Sequence, residues 1–316
     1  MPADELLLTR PLLLCGMANP PNFFAGPYID RRSEAREDAA TLEAIRADPN
    51  TRYVLSVGGQ QLLHAAESES SARVAFLSGD DPIVRSAAAR DLVMLGLFQE
   101  AWCILIDLPA DAIVTLPAAT GLAELRPLAA ILPAPESALL AYARGLSLWR
   151  SRQRFCGVCG SPMQSIRGGH VLRCTHPQTP HDFFPRIDPA IIVLVSTADR
   201  ALLGRQASWP PGRFSTIAGF VEPGESLEDA VAREVHEETG VDVDEVHYQS
   251  SQPWPFPASL MLGFRASAGA RQEIRRGSEL EDVQWFSRAD LLSGRVLLPP
   301  PQAIARRLIG SWLDEG

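Results

Sequence analysis

Between Gly219 and Val241 the chain reads GFVEPGESLEDAVAREVHEETGV, 23 residues with seven carboxylates (Glu222, Glu225, Glu228, Asp229, Glu234, Glu237, Glu238) and one strong base, Arg233. Ser226 as N-cap, Asp229 at N3 and Gly240 as the stop predict a helix over SLEDAVAREVHEETG. On such a helix Glu234, Glu237 and Glu238 are spaced i, i+3 and i+4 and share one face. Like charges at that spacing destabilise an isolated helix, so the countercharge is expected to be a metal ion. Hard divalent cations fit: Mg²⁺ is commonly held by a few carboxylates together with substrate phosphates. In the preceding GFVEPGE, Gly219 and Gly224 bracket Pro223, which suits a tight turn that aims carboxylates at one point. The plainer alternative is a solvated acidic face.

The rest of the chain narrows the function classes. Its 316 residues predict two or three domains, and 46% hydrophobic with 21% charged residues is a globular composition. A net charge of -9 with pI near 5.2 argues against a broad nucleic-acid or membrane-binding face. The sequence contains no lysine, which removes the P-loop and Schiff-base chemistries. LLLTRPLLLC near the N-terminus follows Asp4 and Glu5 and is broken by Arg10 and Pro11, so it is not read as a secretory signal. No apolar run reaches membrane-span length, the best being AIIVLV at 190–195. With five cysteines, three of them clustered, the expected setting is a reducing cytoplasm. Cys15 and Cys103 read as buried apolar residues.

Four segments follow from the patterning: an N-terminal α/β domain over 1–125, with a diverged copy of the last domain left open as its origin, a connecting helix within 126–152, a Gly/Pro/Cys/His-rich segment over 153–188, and an α/β domain over 189–316. In the first, RYVLSV (52–57) and AWCILIDL (101–108) predict strands and the alanine-rich SAAARDLVML a helical piece. ESALLAYARGLSLWRSR (136–152) has helical apolar spacing, and its Leu, Tyr and Trp positions suggest a contact surface between subunits. In the last, AIIVLVS and ALLGRQ predict a hairpin. FSTIAGFV, SLMLGFRAS and DVQWFS predict further strands, and PQAIARRLIGSWL a closing helix.

Gly219, five residues, Glu225, seven residues, and then Arg233-Glu234-Val235-His236-Glu237-Glu238-Thr239-Gly240-Val241 match the Nudix box at every specified position. The chain therefore resembles a Nudix hydrolase, an α/β/α sandwich around a mixed sheet whose substrates are nucleoside diphosphates linked to another group. The resemblance implies metal ligation by Glu234, Glu237 and Glu238, with the carbonyl of Ala218 as a further contact, and a bracing pair in Glu225 and Arg233. Two or three Mg²⁺ or Mn²⁺ ions would neutralise the pyrophosphate and activate a water, with Glu237 or Glu238 taking its proton.

Ten residues past the box comes SQPWPFPASLM (251–261). Pro253, Pro255 and Pro257 hold the residues before them extended, making Trp254 and Phe256 stiff aromatic projections suited to flat rings. The segment resembles the one that marks the NADH pyrophosphatase subfamily, whose members also remove the NAD cap from RNA. The likeness is strong over 150–310 and weak before that. It implies substrate contacts along Gln252, Pro253, Trp254, Pro255, Phe256, Pro257, Ala258 and Ser259, with Trp254 and Phe220 against the nicotinamide. It also implies a distal metal ligand in Glu279, a backbone contact at Ala305 and, by loose alignment, a basic residue that reaches substrate in Arg126. Homodimers with pockets completed across the interface belong to the same resemblance. A broader ADP-ribose or dinucleoside pyrophosphatase, a non-catalytic nucleotide-sensing module and a zinc-ribbon nucleic-acid adaptor are the competing readings.

Cys156 and Cys159 form a CxxC knuckle, and Cys174 follows after 14 residues. Two such knuckles usually hold one structural Zn²⁺ with four thiolates, and the subfamily carries a zinc ribbon here. The fourth cysteine is absent. Its place falls on Thr179, with His176 and His181 close by, which leaves open a three-cysteine, one-histidine site through either histidine or a ribbon that has lost zinc.

Overall fold

The structure, a computed structural model, describes residues 20–65, 71–128, 130–269 and 273–315. The apolar N-terminal run and Cys15 lie outside the described residues. The chain forms two compact units, Met1–Arg186 with Pro255–Ala258, and Ile187–Trp254 with Ser259–Gly316.

The first unit contains β1 (Ile29–Asp30), α1 (Ala39–Ala47), β2 (Arg52–Val57), β3 (Gln60–His64), α2 (Pro82–Ser86), β4 (Leu92–Phe98), β5 (Ala101–Leu108), β6 (Thr120–Ala123), α3 (Leu125–Leu128) and α4 (Ala134–Arg152). Its six strands form one sheet in the order β1-β4-β5-β2-β3-β6, with β2 and β5 parallel. SAAARDLVML does not form the expected helix. Ser86 ends α2, a 3₁₀ turn covers Ala89–Asp91, and Leu92 opens β4. LVMLGLF is apolar throughout and almost wholly buried, the signature of a central strand that periodicity cannot separate from a buried helix.

The apolar stripe of α4 is core rather than a subunit contact surface. Leu139, Leu140 and Ala143 are fully buried, and Leu146 and Trp149 nearly so. A stripe that faces its own sheet and one that faces a partner look the same in sequence. Beyond α4, β7 (Met163–Ile166), β8 (Val171–Cys174) and β9 (Asp182–Phe183) form a small antiparallel sheet.

The second unit contains β10 (Asp188–Ser196), β11 (Arg200–Arg205), β12 (Ile217–Phe220), α5 (Leu227–Thr239), β13 (Val243–Trp254), β14 (Ser259–Ala268), β15 (Asp282–Ser287), α6 (Arg288–Leu292) and α7 (Ile304–Asp314). The mixed sheet runs β13-β14-β10-β11-β15, with β12 also on β10; β10 and β14 are parallel. The unbroken AIIVLV run is explained by burial on both faces. Ile191, Val193 and Val195 pack with Val231 and Val235 of α5, whereas Ile192 and Leu194 pack with Ile304, Leu308, Ile309 and Trp312 of α7. The result is the α/β/α sandwich expected from the box. No described helix is long and apolar enough to cross a membrane.

Candidate active site

The acidic helix is built as its sequence dictates. Ser226 and Asp229 form a reciprocal capping box at the start of α5, and Gly240 ends it in the left-handed region at φ 71°. Antiparallel pairing of β12 with β10 sets Ala218, Gly219 and Phe220 before the turn that leads into α5. Gly219 has no room for a side chain: a Cβ there would lie 1.9 Å from the Glu234 carboxyl carbon.

Arg233 organises the turn. It grips Glu225 bidentately, Nε to Oε1 at 2.5 Å and Nη2 to Oε2 at 3.0 Å, and its Nη2 also donates to the Phe220 carbonyl at 2.9 Å. Its Nη1 reaches Glu234 Oε1 at 2.9 Å and Glu237 Oε2 at 3.1 Å. The guanidinium bonds, aided by the Glu222 N–H, hold the Glu225 carboxyl down at about 2, and the same bonds push Arg233 upward. Arg233→Ala should therefore loosen the turn and leave its carboxylates without a cation. Turnover is expected to fall about a hundredfold and Tm by roughly 5 °C, read by steady-state kinetics and thermal melting.

Glu238 differs from its neighbours. It is 6% exposed, and it is pushed up to about 7 first by burial and then by the charges of Glu234, Glu279 and Glu237. Burial also raises Glu234. Glu279 reaches this face because the segment before it caps the end of α5. Arg275 N–H donates to the Thr239 carbonyl and Gly277 N–H to the Glu238 carbonyl, both at 2.8 Å. Gly277 is bare for the same reason: a Cβ there would lie 2.4 Å from the Glu237 carbonyl oxygen. Converging carboxylates, two of them with raised proton affinity, are a donor set that fits hard divalent cations.

Along β13, Trp254 pairs in register with Ser259, Pro253 with Leu260 and Gln252 with Met261 of β14. Trp254 is half-buried, the Phe220 side chain is exposed, and the Ala305 side chain is buried at the start of α7. Gln252 is fully buried, its amide turned to the backbone at Gln302 and Ile304. Pro255–Ala258 group with the first unit. There the Phe256 ring is not a free projection: the guanidinium of Arg126 lies 4.5 Å from its centroid, that of Arg144 lies 5.6 Å away, and Phe24 meets it edge-on at 5.6 Å. Arg144 also donates from Nε to the Pro255 carbonyl at 2.9 Å. Phe24 and Arg144 carry no local signal in the sequence, because their partners lie more than a hundred residues away.

The cysteine cluster closes through His181. The thiol sulfurs of Cys156, Cys159 and Cys174 and a ring nitrogen of His181 all lie within 4.8 Å of one another. Cys159 and Cys174 sulfurs are 3.9 Å apart, and His181 Nδ1 stands 3.6 Å from Cys156 and 3.5 Å from Cys174. Sulfur and nitrogen at ordinary zinc distances in a tetrahedron are separated by about 3.5–3.8 Å, so the set fits one Zn²⁺ per chain. His176 is turned away, its Nδ1 accepting from the Thr179 N–H at 3.1 Å inside a local turn. The fourth side chain that could hold the ion thus stands two residues past Thr179, at the residue whose carbonyl accepts from the Cys174 N–H.

Sequence comparison matches residues 185–310 to the NUDIX domain, 151–184 to the NADH pyrophosphatase zinc ribbon domain and 50–149 to the NADH pyrophosphatase-like rudimentary NUDIX domain. The NAD-capped RNA hydrolase NudC of Stutzerimonas stutzeri is 46% identical over 175 residues, covering 55% of this chain and 61% of that protein. The protein of the same name from Mycobacterium bovis is 42% identical over 220 residues, covering 65% and 66%. The chain thus spans less than two thirds of the length of these curated relatives. Among solved structures, a NUDIX hydrolase from Nitrosomonas europaea aligns with a TM-score of 0.41 at 20% identity, covering 52% of this chain and 92% of that one.

Proposed function

Because the chain belongs to the Nudix family and carries the NADH pyrophosphatase ribbon and rudimentary Nudix domains beside its Nudix domain, we propose that it hydrolyses NAD(H) to nicotinamide mononucleotide and AMP and removes NAD caps from RNA. The observation that carries the reading is Glu238, a buried carboxylate among three like charges at the end of a complete Nudix box.

In this reading Glu234, Glu237, Glu238 and Glu279, with the carbonyl of Ala218, hold Mg²⁺ or Mn²⁺. When bound, the metal supplies charge neutralisation at the pyrophosphate and a more acidic water. Glu238 takes the proton of the attacking water, a role suited to the one glutamate of this face that is buried among the others. Glu237 is more than half exposed and turned to Arg233, which suits it to ligation rather than to proton transfer. Arg233 and Glu225 keep the turn closed, so the carbonyls of Ala218 and Phe220 stay beside the acidic face. Trp254 and the exposed ring of Phe220 supply stacking surface for the nicotinamide, and Ser259, opposite Trp254, lines the same strand pair. We assign the protein to the cytoplasm and to a homodimer on the strength of the family rather than of any surface feature.

Trp254→Ala is expected to raise KM for NADH about tenfold and to change KM for ADP-ribose little, because only NADH has the ring to stack. Equal losses would make Trp254 a support of the segment. The reading as a whole is tested by offering NADH, NAD⁺, ADP-ribose and NAD-capped RNA side by side with Mg²⁺ or Mn²⁺. NADH and capped RNA should lead. Preference for ADP-ribose would favour a broad dinucleotide pyrophosphatase, and binding without turnover a nucleotide-sensing module.

A further inference from the structure

Gln252 stands two residues before Trp254, to which the proposed function assigns nicotinamide stacking, yet its side chain is fully buried. Its Nε2 donates to the Gln302 carbonyl at 2.8 Å, and its Oε1 accepts the Ile304 N–H at 2.9 Å. Ile304 is the first residue of α7. The N-cap of that helix, Ala303, has no side chain able to cap it. One orphan N–H of the first turn is therefore satisfied from another element, by a residue 52 positions earlier in the chain.

The same helix start is fixed a second time from the sheet. A Cβ on Gly263 of β14 would lie 2.7 Å from Ile304 Cδ1, so Ile304 is seated directly on that bare backbone. Register is unbroken from Ser250 to Trp254, so Gln252 and Trp254, two residues apart, face the same side of the sheet. That is the side on which Gln252 meets the start of α7, immediately before Ala305.

We propose that Gln252 is a positioning residue that does not touch substrate: it caps α7 from β13 and thereby fixes the backbone at Ala305 relative to Trp254. The inference rests on the proposed function for what the two parts bind, but the tie itself is independent of it. Two groups expected to contact substrate gain from being held by a single buried amide, since disorder between them would be lost again on every binding event.

The test uses two variants and two readouts. Gln252→Leu removes both hydrogen bonds. Gln252→Glu keeps the shape and the acceptor for Ile304 but sets a carboxylate oxygen against the Gln302 carbonyl. Amide exchange at Ile304 in the substrate-free protein should quicken about tenfold in Gln252→Leu, the equivalent of one lost hydrogen bond. In Gln252→Glu it should quicken at about pH 8 and return toward the wild-type rate at about pH 5, where the protonated acid regains a donor. KM for NADH should rise about tenfold in step with exchange while kcat changes less than about threefold and KM for ADP-ribose stays put, a split that general loss of stability would not produce. A raised KM with unchanged exchange at Ile304 would overturn the proposal, because the amide would then contact substrate itself, and so would unchanged exchange with unchanged KM. Should Gln252→Leu not fold, Gln252→Glu carries both readouts. Should the wild type hydrolyse none of the dinucleotides, the proposed function falls while the exchange arm still decides whether the tie exists.

Discussion

Glu238→Gln is expected to lower turnover by about three orders of magnitude while leaving the fold intact. The substitution keeps volume and removes one carboxylate oxygen to which the proposed function gives both cation binding and proton transfer. Its effect on stability has the opposite sign. Burial and three neighbouring carboxylates raise Glu238 to about 7 in the folded chain, well above an unfolded glutamate. Between the two values the folded state holds the extra proton, so the contribution of this group to stability is present at acid pH and is lost as pH rises through about 7. In metal-free protein the melting temperature should therefore fall from about pH 5 to about pH 8, and Glu238→Gln should flatten that slope. Added Mg²⁺ should restore wild-type stability at the higher pH and do little for the variant. Near wild-type turnover with a normal melt would remove this face of α5 from the mechanism.

Cys174→Ser should cost more stability than any substitution on the acidic face. The three cysteine sulfurs and His181 converge in a segment with only three short strands, the longest of four residues, so little apolar core is available to replace an ion held there. Metal binding in such a ribbon is folding free energy, and its loss should lower Tm by at least about 10 °C. About one zinc per chain is expected in protein purified without chelators, and about none in the variant. His181→Ala should behave like Cys174→Ser, whereas His176→Ala should keep its zinc, because His176 is engaged with the backbone of its own turn. Elemental analysis of the three variants decides this directly. Mg²⁺-dependent turnover should survive in Cys174→Ser below its lowered melting temperature, since the carboxylate face and the ribbon share no ligand.

The acidic helix was legible because its signals are local. Ser226, Asp229 and Gly240 are read at fixed offsets, and the shared face of Glu234, Glu237 and Glu238 follows from helix geometry alone. The strand at AIIVLVS was likewise legible, whereas its burial on both faces shows only in its packing with α5 and α7. What stayed hidden depends on partners distant in sequence. SAAARDLVML carries alanines that favour a helix, but pairing with β5 makes its end a strand. Trp254 and Phe256 read as equivalent projections, yet Phe256 is held by Arg126 and Arg144. Spacing could not choose between His176 and His181, because the choice depends on how β8 and β9 pair. The buried amide of Gln252 gave no sign that its partners lay at Gln302 and Ile304.

The proposed function requires that one carboxylate face on α5, loaded with a divalent cation, cleave the pyrophosphate of a nicotinamide dinucleotide. Chelator-treated protein incubated with NADH, with and without returned Mg²⁺, tests this by chromatographic identification of the products. Reduced nicotinamide mononucleotide and AMP should form in equal amounts, only when Mg²⁺ is returned, and should be lost in Glu238→Gln. Release of nicotinamide with ADP-ribose, or cleavage that proceeds equally well in the chelated protein, would refute that requirement.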